Sequence, residues 1–222
     1  MESANDDRGS RAPRTPGAPR PSGTALLVAL ALAAGLALTG TAHAQEEAPA
    51  CTFRSPASEL ADRASPPDSS SIQLSGGTVK VCYGSPKVRG REIFGGLVPY
   101  GQPWRLGANE PTTLHTTVSL SVGGVRVEPG SYSLYAVPGA EEWQIVVNAA
   151  TDRWGIPINE QVRARDVGST TASPRATDES VGSLRIRLEH ADGGEARLSI
   201  AWATTRLEVP VTVPGEEPEE EG

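Results

Sequence analysis

Residues 84–110 hold most of the side chains that could bind a ligand. This stretch lacks the alternation of the segments around it and is rich in glycine, aromatic and charged residues. Tryptophan and tyrosine offer flat apolar faces with a polar tip, arginine offers a planar fork of donors, and asparagine and glutamate offer acceptors. The combination suits a sugar, a peptide or a carboxylated small molecule. The predicted ligand-binding residues are Arg91, Tyr100, Trp104, Arg105, Asn109 and Glu110, with Asp152 and Trp154 as a second, smaller group.

The same side chains also fit a purely structural interpretation. In that interpretation Arg105 and Glu110 bridge to each other and brace a loop. Asn109 satisfies backbone groups that lack partners, and Trp104 plugs the end of the fold. Most buried polar groups in proteins are paired for structural reasons, which favours this interpretation residue by residue.

Catalysis is the weaker functional hypothesis. Glu110 and Asp152 are the candidate acids of a hydrolase acting on glycan or peptide, but such chemistry needs two carboxyl groups about 5–10 Å apart across a cleft. The sequence contains no HExxH, CxxC, GxSxG or phosphate-binding motif, so neither a metal nor a cofactor is predicted. His115 and His190 are interpreted as surface or strand-edge histidines. A non-catalytic binding module is therefore favoured over an enzyme.

The scaffold that positions these residues is predicted to be all-β. Apolar residues recur with period two, and glycine and proline separate the runs, as in antiparallel strands joined by turns. The pattern predicts an antiparallel β-sandwich or a jelly-roll-like domain. Residues 114–122 read as one strand, residues 156–181 as a loop with a short helix within 159–165, and residues 58–62 as one helical turn. The alternating rows begin at Val79, Leu114, Val125, Tyr132, Trp143, Leu184, Leu198 and Leu207.

The N-terminus predicts export. Arginines in the first 24 residues precede an uncharged apolar run at 25–38, which is too short to cross a bilayer comfortably, and Ala42 and Ala44 provide a small-x-small pattern. We predict a signal peptide at 1–44, cleaved between Ala44 and Gln45, with a periplasmic or secreted product and no membrane span after cleavage. Retention as an anchor is the alternative.

Three further segments follow from composition. Residues 45–71 predict a flexible linker, residues 72–213 the β-sandwich domain, and residues 214–222 an acidic disordered tail. In an exported protein, Cys51 and Cys82 are expected to form a disulfide, because the compartment is oxidising. That bond would attach the N-terminal arm to the face of its strand opposite Val79 and Val81.

The net charge of −7 leaves no basic field for a phosphate backbone, so nucleic acid is excluded as a partner. The predicted partner is a small polar ligand or a component of the cell envelope. Use of an exposed sheet edge for envelope assembly is a further alternative.

Two long motifs resemble a known family. Residues 90–101, GREIFGGLVPYG, and residues 104–110, WRLGANE, are similar to the bacterial family called domain of unknown function 2911. The resemblance continues through residues 129–134, Trp143, Asn148 and residues 151–155, and covers about residues 72–213. It implies export and brings no established activity, ligand or catalytic residue. The sequence departs from the family pattern between Asp166 and Gly182, where a clearer strand is expected.

Overall fold

Alternating apolar residues place one face of each strand in a core between two antiparallel sheets. The computed structural model describes residues 50–192 and 195–215. The predicted signal peptide, the start of the linker and most of the predicted acidic tail lie outside these residues. The elements are α1 (Ala57–Leu60), β1 (Pro67–Leu74), β2 (Gly77–Gly84), β3 (Thr112–Thr116), β4 (Leu120–Val122), β5 (Val125–Val127), β6 (Gly130–Val137), β7 (Trp143–Asn148), α2 (Glu160–Arg163), β8 (Asp166–Ala172), β9 (Arg175–His190) and β10 (Ala196–Thr212).

The strands form a six-stranded sheet of order β1-β2-β3-β6-β7-β8 and a four-stranded sheet of order β5-β4-β10-β9. Every pairing within them is antiparallel. Apolar side chains from both sheets form one buried cluster, which includes Val81, Leu134 and Ile200. The predicted all-β sandwich is confirmed. Neither helix in the described part of the chain has the length or apolar character that a membrane-spanning helix needs.

The predicted strand over 114–122 is wrong in one respect, because it is two strands in different sheets. Strand β3 belongs to the six-stranded sheet and β4 to the four-stranded sheet. Between them, the Thr116 hydroxyl accepts a hydrogen bond from the backbone N–H of Val118 and donates one to its carbonyl. Alternation continues through this bend because both strands bury the same face in the shared core.

The predicted loop at 156–181 is also wrong over most of its length, since β8 and the first half of β9 occupy residues 166–181. Most side chains of β8 are exposed or half-buried, so the strand is held by backbone pairing to β7 rather than by an apolar row. The predicted helix within 159–165 is confirmed as α2, where the Asn159 side chain caps the first turn by accepting a hydrogen bond from Val162 N–H. Helix α1 confirms the predicted helical turn at 58–62.

The N-terminal arm, residues 50–66, is attached to the sandwich at several points. Cys51 and Cys82 form the predicted disulfide, with Cα atoms 5.7 Å apart. Strand β1 then begins at Pro67, within the stretch predicted as linker, and forms an edge of the six-stranded sheet. The edge of β1 lies against β9, where the Ser70 hydroxyl accepts a hydrogen bond from Leu188 N–H.

Candidate functional site

Residues 84–110 cross one end of the sandwich and are bonded to both sheets. Val88 N–H donates to Gly182 O at 2.8 Å, which joins the segment to β9. Trp104 exchanges two backbone hydrogen bonds with Ala136 of β6, at 2.7 and 2.8 Å. These backbone bonds hold the segment in place, so its side chains are presented from a pre-formed surface rather than from a loose loop.

Phe94 and Trp104 of this segment pack against two tryptophans of the sheets, Trp143 and Trp202. The indole of Trp104 stacks on that of Trp202, with ring centroids 5.8 Å apart and planes inclined by 17°. Trp202 precedes a β-bulge at Ala203, whose φ is +52°, and bulges commonly redirect neighbouring side chains. Trp104 therefore packs at the end of the core, as the structural interpretation predicted, while one part of it still faces solvent.

A pocket of about 320 Å³ opens beside these rings. We call it the Arg105 pocket, because Arg105 is the charged residue that penetrates furthest toward the core. Trp104 and Trp202 form its apolar side, and Lys87, Arg89 and Arg91 line it as well. Its size fits a small molecule rather than a polymer.

Arg105 is half-buried and makes no hydrogen bond or ion pair within the described residues. Its Nε atom is buried without an acceptor, and so is the Nε1 atom of Trp202. Burial lowers the pKa of the Arg105 guanidinium, since no anion offsets the loss of hydration. Buried indole and guanidinium N–H groups normally have acceptors. Arg105 and Trp202, each with a buried donor that lacks an acceptor, both line this pocket.

The predicted bridge between Arg105 and Glu110 is wrong, because Glu110 is paired elsewhere. Its carboxylate accepts hydrogen bonds from Arg63 Nη1 and Nη2 at 2.7 and 2.9 Å, and from Arg54 N–H at 2.8 Å. Burial on its own would raise the pKa of Glu110, but the hydrogen bonds from Arg63 and from the Arg54 backbone outweigh it and hold the pKa below its usual value. Glu110 is therefore an ionised structural anion.

The backbone around Arg105 adopts an uncommon conformation. Leu106 and Asn109 have φ values of +54° and +64°, in the left-handed region that residues other than glycine seldom occupy. The Asn109 side chain donates to Ser65 O at 3.1 Å, and Gly155 N–H donates to Asn109 O at 2.9 Å. Asn109 thus satisfies a backbone group, as the structural interpretation predicted. Neighbouring segments on both sides keep Arg105 in position.

The model of a family described as "Protein of unknown function (DUF2911)" matches residues 65–211. The chain belongs to this family. No curated protein and no solved structure matches the chain. The DUF2911 region contains both sheets and nearly all of the Arg105 pocket, whereas Cys51 and Arg54 precede it.

A second pocket in this DUF2911 protein, about 270 Å³, lies between the N-terminal arm and the six-stranded sheet. We call it the arm pocket. His115 lines it and is only 6% exposed, so the prediction of a surface or edge histidine is wrong for this residue. Its ring nitrogens lie 3.0 Å from Thr113 Oγ1 and 2.8 Å from Ser131 Oγ. Burial, and then the charge of Lys80, lowers the pKa of His115, which favours the neutral imidazole.

The predicted site residues do not converge on one cavity. Arg91, Trp104 and Arg105 line the Arg105 pocket, whereas Glu110 and Asp152 line the arm pocket. Tyr100 and Trp154 line neither of these pockets and are about half exposed. Asp152 is fully solvated at its side chain and pairs with Arg54 at 2.7 Å.

Several residues that line the Arg105 pocket are not predicted as site residues from the sequence. Trp202 alternates with Leu198 and Ile200, a pattern that indicates a core position rather than a pocket. Ala64 and Ser65 of the arm reach the Arg105 pocket across more than 30 residues of sequence separation. The predicted disulfide attaches the arm to β2, but the Arg63–Glu110 pair, which holds the arm next to Ala64 at this end of the sandwich, has no signal in the sequence. Among the described residues, no cluster of three or more His, Cys, Asp or Glu side chains is arranged to hold a metal ion.

Proposed function

We propose that this protein is an exported, non-catalytic module that binds a small polar ligand in the Arg105 pocket. The observation that supports it is a half-buried guanidinium that lines an open pocket and has no partner in the described part of the chain. Desolvating a cation without pairing it costs free energy. A folded protein retains such an unfavourable arrangement at a binding site, because the bound molecule supplies the missing acceptors.

The surroundings of Arg105 suit binding rather than packing alone. The stacked indoles of Trp104 and Trp202 provide a flat apolar surface next to the guanidinium. The many backbone bonds that anchor residues 84–110 reduce the ordering that a ligand would have to impose. Export is supported by the disulfide, since such bonds persist mainly in oxidising compartments.

The hydrolase hypothesis draws little support from its two candidate acids. Glu110 already accepts three hydrogen bonds and has a lowered pKa, which makes it a poor proton donor. Asp152 is solvated and paired with Arg54. For the sheet-edge alternative, β1 lies against β9 and β5 lies against β8, so each edge strand of one sheet faces an edge strand of the other.

The stability of an Arg105→Met variant tests the proposal without knowledge of the ligand. Methionine keeps much of the length of the side chain and removes the unpaired charge. We expect the free energy of unfolding to rise by about 0.5–1.5 kcal/mol, because a desolvated cation without a partner opposes folding. A structural arginine would show the reverse. If the free energy of unfolding of Arg105→Met instead falls by more than about 1 kcal/mol, the proposal is overturned.

A binding measurement complements the stability test. Glucose, glycylglycine and acetate serve as probes, and the side-chain Nε–H resonance of Arg105 is followed by NMR. At least one probe should shift this resonance saturably and shift the indole N–H resonance of Trp104, which lines the same pocket. The Trp104 response should disappear in Arg105→Met. Arg185→Ala is the matched control, because Arg185 is an exposed arginine on β9 that does not line the pocket.

A further inference from the structure

The lining of the Arg105 pocket is cationic although the chain as a whole is acidic. Lys87, Arg89, Arg91 and Arg105 line it, and no Asp or Glu is among the described residues that do. The net charge of the whole chain is −7. A cleft lined by charges of one sign concentrates molecules of the opposite sign. The pocket therefore favours anionic ligands, although the net negative charge of the whole chain repels them.

Among the residues that the structure describes, no carboxylate pairs with these cations. The ion pairs among the described residues involve other arginines, namely Arg54, Arg63, Arg126, Arg187, Arg197 and Arg206. Arg91 donates from Nε to Val88 O at 3.1 Å and from Nη2 to Lys87 O at 2.6 Å. Arg89 donates from Nη2 to Ala64 O at 3.2 Å. These bonds to carbonyl groups hold the two guanidinium groups near the pocket and leave their charges uncompensated.

The apolar side of the pocket indicates what else the ligand carries. Trp104 presents part of its ring to the opening, and Leu97, which also lines the pocket, is 47% exposed. A bare inorganic anion would leave these surfaces in water. An apolar group beside the anionic group would cover them, and its burial would add to the affinity.

We infer that the ligand of the Arg105 pocket is a small organic anion whose carboxylate or phosphate group binds Arg105 and whose apolar part lies against Trp104. This inference rests on the proposed function and names the class of ligand for the same site. The planar fork of an arginine matches both carboxylate and phosphate oxygens, often through two parallel hydrogen bonds. A cavity of about 320 Å³ limits the ligand to a small molecule.

Three aromatic probes of similar size, and inorganic phosphate as the bare anion, test the inference: the aromatic probes are phenylacetate, phenyl phosphate and phenylacetamide. Binding is followed by tryptophan fluorescence and by the indole N–H resonances of Trp104 and Trp202 at low ionic strength. We expect both aromatic anions to bind at least tenfold more tightly than phenylacetamide. Phenyl phosphate should bind more tightly than inorganic phosphate, and added salt should weaken both aromatic anions.

Variants show which side chains contribute to the affinity for phenylacetate. Arg105→Met should weaken phenylacetate at least tenfold and leave phenylacetamide unchanged, because only the anion uses the guanidinium. Lys87→Ala should weaken phenylacetate about two- to fivefold, since an exposed charge at the rim acts mainly on the rate of association. Arg185→Ala, which removes one positive charge outside the pocket, should leave both affinities unchanged.

Each contrary result has a distinct meaning. Equal affinities for phenylacetate and phenylacetamide would overturn the anionic class and leave the proposed binding function standing. Equal affinities for phenyl phosphate and inorganic phosphate would overturn the claim that the ligand carries an apolar group that lies against Trp104. If no probe binds, the inference as a whole is rejected. The proposed function fails separately, through a loss of stability in Arg105→Met.

Discussion

The guanidinium of Arg63 donates two hydrogen bonds to the carboxylate of Glu110, at 2.7 and 2.9 Å. Both side chains are largely buried, with 13% and 8% of their surfaces exposed. This pair binds the N-terminal arm to the end of the 84–110 segment. Glu110 is the carboxylate of that segment nearest to Arg105 in sequence, and its pairing with Arg63 leaves Arg105 without a partner among the described residues.

Substitution of Glu110 by glutamine should destabilise the fold. The variant keeps the shape of the side chain but leaves Arg63 without its anion, and we expect the free energy of unfolding at pH 7 to fall by about 2–4 kcal/mol. Chemical denaturation measures this loss. Glu128→Gln is the control, because Glu128 pairs with Arg126 in solvent, and its stability should match that of the wild type.

The same pair predicts a pH dependence. The pKa of Glu110 in the folded state lies below its usual value, so its stabilising contribution is present above about pH 4.3 and is lost as the pH falls through the folded pKa. The stability difference between wild type and Glu110→Gln should therefore shrink on acidification below that value. A difference that stays constant down to pH 3 would contradict this account.

Removal of the disulfide should release the arm. Cys51 and Cys82 are separated by 31 positions, and the chain-entropy model gives about 3–4 kcal/mol for a loop of this length. We expect a double variant, Cys51→Ser with Cys82→Ser, to lose this amount in guanidinium denaturation. Wild type treated with a reductant should match the variant. If reduction leaves the stability of the wild type unchanged, the disulfide does not restrain the arm.

Tyr83 joins the two sheets through its hydroxyl group. The hydroxyl donates to Asp68 Oδ2 at 2.6 Å and accepts from Ile186 N–H at 3.0 Å. Tyr83→Phe leaves the buried Ile186 N–H without an acceptor, so we expect a loss of about 1–3 kcal/mol near neutral pH. Thermal and denaturant unfolding both measure it.

Alkaline pH provides a second readout for Tyr83. Burial, followed by the hydrogen bond to Asp68, raises the pKa of Tyr83 to about 12. Its contribution is thus fully present below about pH 10, the ordinary tyrosine pKa, and is lost as the pH rises through the folded value. The difference between wild type and Tyr83→Phe should diminish over that interval. If the stability difference between wild type and Tyr83→Phe is unchanged at the alkaline end of this interval, the Tyr83 hydroxyl is not the cause of that difference.

Gly155 allows the 151–157 segment to approach Arg105 closely. A Cβ atom at this position would overlap Arg105 Cδ and the carbonyl oxygen of Asn109. We expect Gly155→Ala to destabilise the protein by about 1–3 kcal/mol through overpacking and to alter the NMR shift of Arg105 Nε–H. Gly182→Ala is the control, since a Cβ there meets no atom within 4 Å. An unaffected Arg105 resonance would show that Gly155 does not position this side chain.

The sequence alone determined the class of fold and several local features. Alternation predicted most of the strands because a strand with one buried face repeats its polarity every second residue. The Cys51–Cys82 pair and the short helix within 159–165 also followed from residue types and their positions. Strands β8 and early β9 escaped prediction, since an exposed strand stabilised by backbone pairing carries no apolar row.

Only the tertiary structure decided which predicted residues act together. Sequence proximity suggested that Arg105 pairs with Glu110, but the disulfide-linked arm brings Arg63 to Glu110 and leaves Arg105 beside Trp202. His115 likewise alternates as an outward residue and is buried by the arm that covers its face. Pairing of charges depends on distances between segments that are far apart in the chain, and those distances are set by packing rather than by local periodicity.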